Sequence, residues 1–212
     1  MKFDELLDRF NDEACFDYPS VALLFPESDA AIRTSLYRFK KTGRLLELRR
    51  GLYAFPERYR KVTLTGPAVA NALYQPSYLS TLWALSFYGV IPEKTVVYTS
   101  VTPRQTKRFE NSLGSFFYRS LQTSLFTGFG TESIMGTPVR IATPEKALLD
   151  LMYLEEGEWT EGRMDSMRFE PGAIALEPFL AAMADTAIPR LMRAADAWKR
   201  YAFETQEGRI EV

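Results

Sequence analysis

Residues 28–55 read SDAAIRTSLYRFKKTGRLLELRRGLYAF, and this stretch decides the fold. Ser28 or Asp29 suits a helix N-cap, because a short polar side chain can accept from an orphan backbone N–H. Ile32, Leu36 and Phe39 recur at spacings of four and three, so they share one helix face and require a core. Ala30, Thr34, Tyr37, Arg38 and Lys41 fall on the opposite face, with Arg33 and Lys40 on one flank. Gly43 stops the helix where the chain must turn left-handed. Residues 45–49 and 52–55 are two short strand-like runs. Arg50-Gly51 between them fits a tight turn, of type I′ or of type I with a bulge. A cationic helix face followed by an arginine-tipped hairpin is the layout in which a helix enters the major groove and a wing touches the DNA backbone. The expectation is a winged helix-turn-helix.

On the N-terminal side, residues 3–10 place Phe3, Leu6, Leu7 and Phe10 on one face of a first helix. Tyr18-Pro19 reads as a break, and residues 20–25 as a short second helix stopped at Pro26. Residues 1–60 therefore hold three helices and a hairpin, enough for a small DNA-binding domain. Charge agrees. From residue 33 to residue 61 there are ten Lys or Arg and two acids, Glu47 and Glu57, whereas residues 1–32 hold two basic residues and eight acids. The balance swings from −6 to +8 within one domain, while the whole chain is at −1. Only that local asymmetry points to nucleic acid. The candidate DNA-binding residues are Ser28, Ala30, Arg33, Thr34, Tyr37, Arg38, Lys40, Lys41, Arg44, Arg49 and Arg50. Within this set Thr34, Tyr37 and Arg38 are assigned to bases, and Arg49 and Arg50 to phosphates.

Residues 61–212 form the second domain. Thr65-Gly66-Pro67 opens a helix running to about Tyr74, with proline acceptable in the first turn. Ser77 is read as the cap of a buried helix carrying Leu79, Leu82, Trp83, Leu85 and Phe87, closed by Gly89. Between residues 95 and 142 the sequence turns β-rich, and four to five short, mainly antiparallel strands are expected. Phe116, Phe117, Phe126 and Phe129 are assigned to sheet packing, since their spacing does not reproduce the aromatic pairs of single-strand binders. Thr143 caps a helix with Pro144 and Glu145 in its first turn, and Ala147, Leu148, Leu149, Leu151 and Met152 make it apolar nearly all round. Lys146 and Asp150 stand four apart and can pair. Residues 155–162 read as an acidic loop, residues 176–184 and 188–203 as closing helices, and residues 204–212 as a frayed tail. The fold class is α+β.

Much chemistry is excluded by composition. The 212 residues contain no histidine and a single cysteine, Cys15. Catalytic triads that need histidine, His metal sites, thiolate zinc sites and an intrachain disulfide are therefore ruled out. There is no P-loop and no G-x-G-x-x-G after a strand. No run approaches the ~20 apolar residues of a membrane span, and the acidic N-terminus lacks the apolar core of a signal peptide. A cytoplasmic protein without cofactor, metal or catalytic residues is expected.

Three runs come in a telling order. These are Arg50-Gly51-Leu52-Tyr53; then Ser77-Tyr78-Leu79-Ser80 with Ala84-Leu85 and Tyr88-Gly89; then Ala142-Thr143-Pro144-Glu145-Lys146-Ala147-Leu148 followed by Asp150. Together they resemble the AbiEi-type antitoxins of bacterial type IV toxin–antitoxin systems, over roughly residues 1–155. The resemblance implies an N-terminal winged helix that represses its own operon through operator double-stranded DNA. It also implies a C-terminal domain that counters a nucleotidyltransferase-like toxin encoded beside it, without a stable complex. Two rivals remain open. One is a stand-alone regulator whose C-terminal domain senses a ligand or dimerises, so an oligomer is compatible with the sequence. The other is a metal-dependent nuclease, for which the strand region offers only Glu110 and Glu132.

Overall fold

The computed structural model describes the backbone of residues 1–210 and the side chains of residues 1–205. The chain is mixed α and β. It starts with α1 (Phe3–Phe10), β1 (Phe16–Asp17), α2 (Tyr18–Leu24), α3 (Asp29–Lys41), β2 (Leu46–Arg49) and β3 (Leu52–Ala54). The three strands form an antiparallel sheet in the order β1-β3-β2. Pro19 does not break the chain. It sits in the first turn of α2, where its missing N–H costs nothing, and Asp17 caps that turn by accepting from Ser20 N–H at 3.0 Å.

Strand periodicity gives this small sheet two buried faces. Leu45, Phe55 and the half-buried Tyr53 pack with Phe3, Leu6, Phe10, Phe16, Val21, Ile32, Leu36 and Phe39 of the first core. Leu48, Leu52 and Ala54 point the other way and join the core of the rest of the chain. The seam is also hydrogen-bonded. Asn111 donates to the Leu48 carbonyl at 3.2 Å, and Lys61 N–H to the Asn11 carbonyl at 2.9 Å.

The second core is built on a six-stranded sheet. Its strands are β4 (Tyr78–Leu79), β5 (Val97–Thr102), β6 (Lys107–Asn111), β7 (Gly114–Ser120), β8 (Phe129–Ile134) and β9 (Thr137–Ala142), in the order β6-β7-β5-β4-β9-β8. The sheet is mainly antiparallel, as expected, with β4–β5, β6–β7 and β8–β9 paired that way, but it also holds parallel pairs. β5–β7 and β4–β9 are parallel, and the hairpins β6–β7 and β8–β9 supply the antiparallel edges. β4 replaces the expected start of a helix at Ser77. Two residues are too few to show a strand period, and Tyr78 and Leu79 are both fully buried. Helix α5 (Thr81–Phe87) follows, with Ser80 at the capping position.

Helix α4 (Gly66–Leu73) leads into this sheet, and α6 (Pro144–Leu154) packs on α5. A Cβ at Gly66 would stand 2.1 Å from the Tyr98 ring, so only glycine admits that approach. Thr143 caps α6 by accepting from Lys146 N–H at 3.2 Å. At the other end Arg190 donates to the carbonyls of Met152, Tyr153 and Glu155 at 2.6–2.9 Å, covering acceptors that a helix terminus leaves open. Part of the expected acidic loop is helical: α7 (Glu161–Ser166) begins inside it, capped by Thr160. α8 (Leu176–Asp185) and α9 (Pro189–Ile210) close the chain, with the Trp198 ring between Phe169 and Phe179 at 5.4 and 5.8 Å. The tail read as frayed continues α9 to Ile210, and residues 211–212 lie outside the described residues. No described helix is long and apolar enough to cross a membrane.

Candidate nucleic-acid interface

Helix α3 is held by one face and offers the other. Ser28 caps it, its hydroxyl accepting from Ala31 N–H at 3.4 Å. Ile32, Leu36 and Phe39 are at most 5% exposed, and Ser35 is buried beside them. Ala30, Arg33, Thr34, Tyr37, Arg38, Lys40 and Lys41 are exposed, Tyr37 at 61%. The Tyr37 ring stands in water on this face, with the Lys40 ammonium 5.9 Å from its centroid.

The cations of this face divide into two groups. Arg33 is engaged: its Nε lies 3.1 Å from the Asp29 carboxylate, and its guanidinium is stacked 4.1 Å from the Tyr18 ring centroid. The Tyr18 hydroxyl donates to the same carboxylate. That hydrogen bond, with Arg33 adding to it, holds the Asp29 carboxyl below its ordinary range; the same bond raises the Tyr18 hydroxyl above its own, against the pull of Arg33. Lys40 is engaged too, 2.5 Å from Glu47 of β2, and this hydrogen bond raises its pKa. Arg38 and Lys41 make no ion pair among the described residues. Thr34 has spent its donor on the Ala30 carbonyl at 2.8 Å and presents acceptor lone pairs and a methyl.

The hairpin divides its two arginines. Arg50 is exposed at the turn, beside Gly51 at φ +77, and makes no ion pair among the described residues. Arg49 does not stand with it. Its Nε donates to the Leu73 carbonyl at 2.6 Å and an Nη to the Arg50 carbonyl at 3.0 Å. The cause is local, because the pairing shifts between Glu47 and Arg49, and the shifted residue is re-aimed into the seam. Arg49 thus braces the hairpin against α4, unlike Arg50, the other arginine assigned to phosphates. Arg44 lies past the helix end, 5.3 Å from the Phe3 ring centroid.

Sequence reasoning missed Tyr18, because it read that residue as part of a break. It also missed Arg104, which lines a cleft of about 430 Å³ with Asp17, Ser20, Arg49, Tyr74 and Gln75. Nothing in the periodicity marks either one.

A second polar constellation lies in the sheet core. Asp150 of α6 is fully buried and receives the Tyr78 hydroxyl at 3.1 Å, the Ser80 hydroxyl at 2.7 Å and the Lys146 ammonium. Burial pushes its carboxyl up, against the opposing pull of Lys146. Glu110 and Glu132 sit on the two opposite edge strands of the sheet. Among the described residues no group of three or more Cys, Asp or Glu side chains is placed to hold a metal ion.

Compared with protein-family models and with curated proteins, the chain gives no match.

Proposed function

We propose that the chain is a sequence-specific DNA-binding transcriptional repressor, acting in the cytoplasm as the antitoxin of a type IV toxin–antitoxin system. Residues 1–60 act as the winged helix-turn-helix, and residues 61–212 counter a nucleotidyltransferase-like toxin without catalysis of their own. One observation carries the DNA reading. Tyr37, Arg38 and Lys41 stand exposed on the outer face of α3, while Ile32, Leu36 and Phe39 anchor its inner face. The antitoxin half rests on the ordered motifs, whose Tyr78, Ser80, Lys146 and Asp150 meet in one buried network.

A DNA-binding assay across salt tests the reading, using the region upstream of the chain's own gene. Arg50→Ala weakens all DNA alike and lowers the salt slope by about 0.9 for one lost phosphate contact. Arg38→Ala flattens the difference between operator and random DNA. Unchanged binding in both variants refutes the assignment. Co-expression with a nucleotidyltransferase encoded next to the gene tests the antitoxin half.

The cleft lined by Arg49, Tyr74 and Arg104 favours a second reading, a stand-alone regulator that senses a ligand between its two cores. A small molecule there would touch the arginine that braces the hairpin. Operator affinity that responds to a metabolite, with no toxin gene adjacent, selects this reading.

A further inference from the structure

The two edges of the large sheet are built differently. β6 carries Lys107, Arg108 and Glu110, all exposed, and charge of this kind guards an edge against pairing. β8 reads Phe129-Gly130-Thr131-Glu132-Ser133-Ile134, with one charge and no proline. Residues 130–133 are exposed, and among the described residues no strand pairs with the outer side of β8.

The hydrogen-bond phase of this edge is fixed. Thr143 N–H donates to the Gly128 carbonyl at 3.1 Å, just beyond the ladder in which Gly130 faces Ile141, Glu132 faces Val139 and Ile134 faces Thr137. Bonded and non-bonded pairs alternate in an antiparallel ladder, so Gly130, Glu132 and Ile134 turn their backbone groups to β9. Phe129, Thr131 and Ser133 turn theirs outward.

We propose that β8 pairs with β8 of a second copy of the chain, antiparallel about a two-fold axis at Thr131, so that one continuous sheet runs through a homodimer. The sequence of the edge is self-complementary in this register. Thr131 faces Thr131 of the partner subunit, and Phe129 faces Ser133 of the partner subunit. Glu132, the only charge, faces Gly130 of the partner subunit, which has no side chain to meet it. An axis at Glu132 would set two carboxylates directly opposite each other, which is unfavourable. An axis at Gly130 would leave Ser133 and Ile134 unpaired. Such an interface is isologous and therefore closes at two copies. The proposal stands whether or not the chain binds DNA.

Sedimentation velocity on the full chain, from micromolar to sub-millimolar concentration, is the test. The expected result is a monomer–dimer equilibrium. Thr131→Pro removes the two N–H donors at the axis, none of them needed by β9, and weakens dimerisation roughly tenfold or more. Ser133→Lys places a charge on the edge and weakens it as well, deciding the matter if the proline variant does not fold. Glu132→Lys leaves the dimer unchanged, because it meets only glycine. In a Cys15→Ser background, Thr131→Cys forms an intermolecular disulfide on oxidation, since bonded pairs stand about 5.5 Å apart at Cα. A chain that stays monomeric at every concentration overturns the proposal. So does a dimer indifferent to both edge variants, or one that cross-links through Glu132→Cys and not through Thr131→Cys.

Discussion

Asp29 with Arg33 in α3, and Lys146 with Asp150 in α6, are built from the same parts. Each is an acid and a base four residues apart on a helix, with a tyrosine hydroxyl on the carboxylate. Their surroundings are opposite. The side chains of Arg33 and Asp29 are 59% and 66% exposed, those of Lys146 and Asp150 only 7% and 0%. In water the pair is screened and adds little, whereas in the core each partner holds the other against desolvation. The spacing of charges along a helix thus predicts a pairing but not its consequence. Burial turns one motif into a structural clamp, while exposure leaves the other a screened surface pair.

The largest expected effect lies in the buried pair. Asp150→Ala strands the Lys146 ammonium beside two hydroxyls, and loss of about 3–5 kcal/mol is expected in urea unfolding. A Lys146→Met, Asp150→Leu double variant removes both charges and recovers most of that loss. If the single variant unfolds at the wild-type urea concentration, the buried clamp is not one.

Next in size is Arg49. Its hydrogen bonds to Leu73 and Arg50 tie the hairpin to α4, so Arg49→Ala costs about 1.5–3 kcal/mol of stability. Salt dependence of DNA binding is expected to stay as in the wild type. Arg50→Ala should behave in reverse, and equal salt slopes for the two variants would merge the roles separated here.

Arg38→Ala comes third. It should change unfolding by less than about 0.5 kcal/mol, since among the described residues this exposed side chain makes no ion pair. Discrimination between operator and random DNA should fall by about 1–3 kcal/mol, measured by competition binding. A uniform loss across all DNA would move Arg38 from base reading to phosphate contact.

Much of this was legible in the sequence. α1, α3 and the hairpin follow from apolar spacing and from Gly43 and Gly51, because local sterics and one buried face suffice to specify them. β4 was not legible, since two residues buried on both sides carry no period. Nor was the inward turn of Arg49. It depends on a one-residue shift in strand pairing and on a carbonyl 24 positions away, Leu73, and neither leaves a local signal. The join near residue 60 was placed from composition. Packing crosses it through Leu48, Leu52 and Ala54, so residues 1–60 alone would bare an apolar face. The candidate site was legible where it depends on one helix face, and not where Tyr18 reaches it from α2.

The smallest effect separates the two pairs by sign. Asp29 has its pKa lowered by the Tyr18 hydrogen bond and Arg33. Between its folded pKa and the ordinary aspartate value of 3.8, the unfolded chain binds more protons, so stability rises with pH there. The Asp29 contribution is present above 3.8 and fades as acid carries the solution through its lower folded pKa. Asp150 has its pKa raised by burial. Above 3.8 the folded chain binds more protons, so its contribution is complete below that value and fades as pH rises through the higher folded pKa. Urea midpoints should therefore move apart in the two amide variants. Asp29→Asn flattens the acid limb of the stability curve below about pH 4, an effect that added salt reduces in its Arg33 part because that ion pair is exposed. Asp150→Asn removes a decline on the other side, and salt leaves that change in place. Equal slopes in both variants, or equal sensitivity to salt, would mean that the two pairs share one environment, contrary to their exposure.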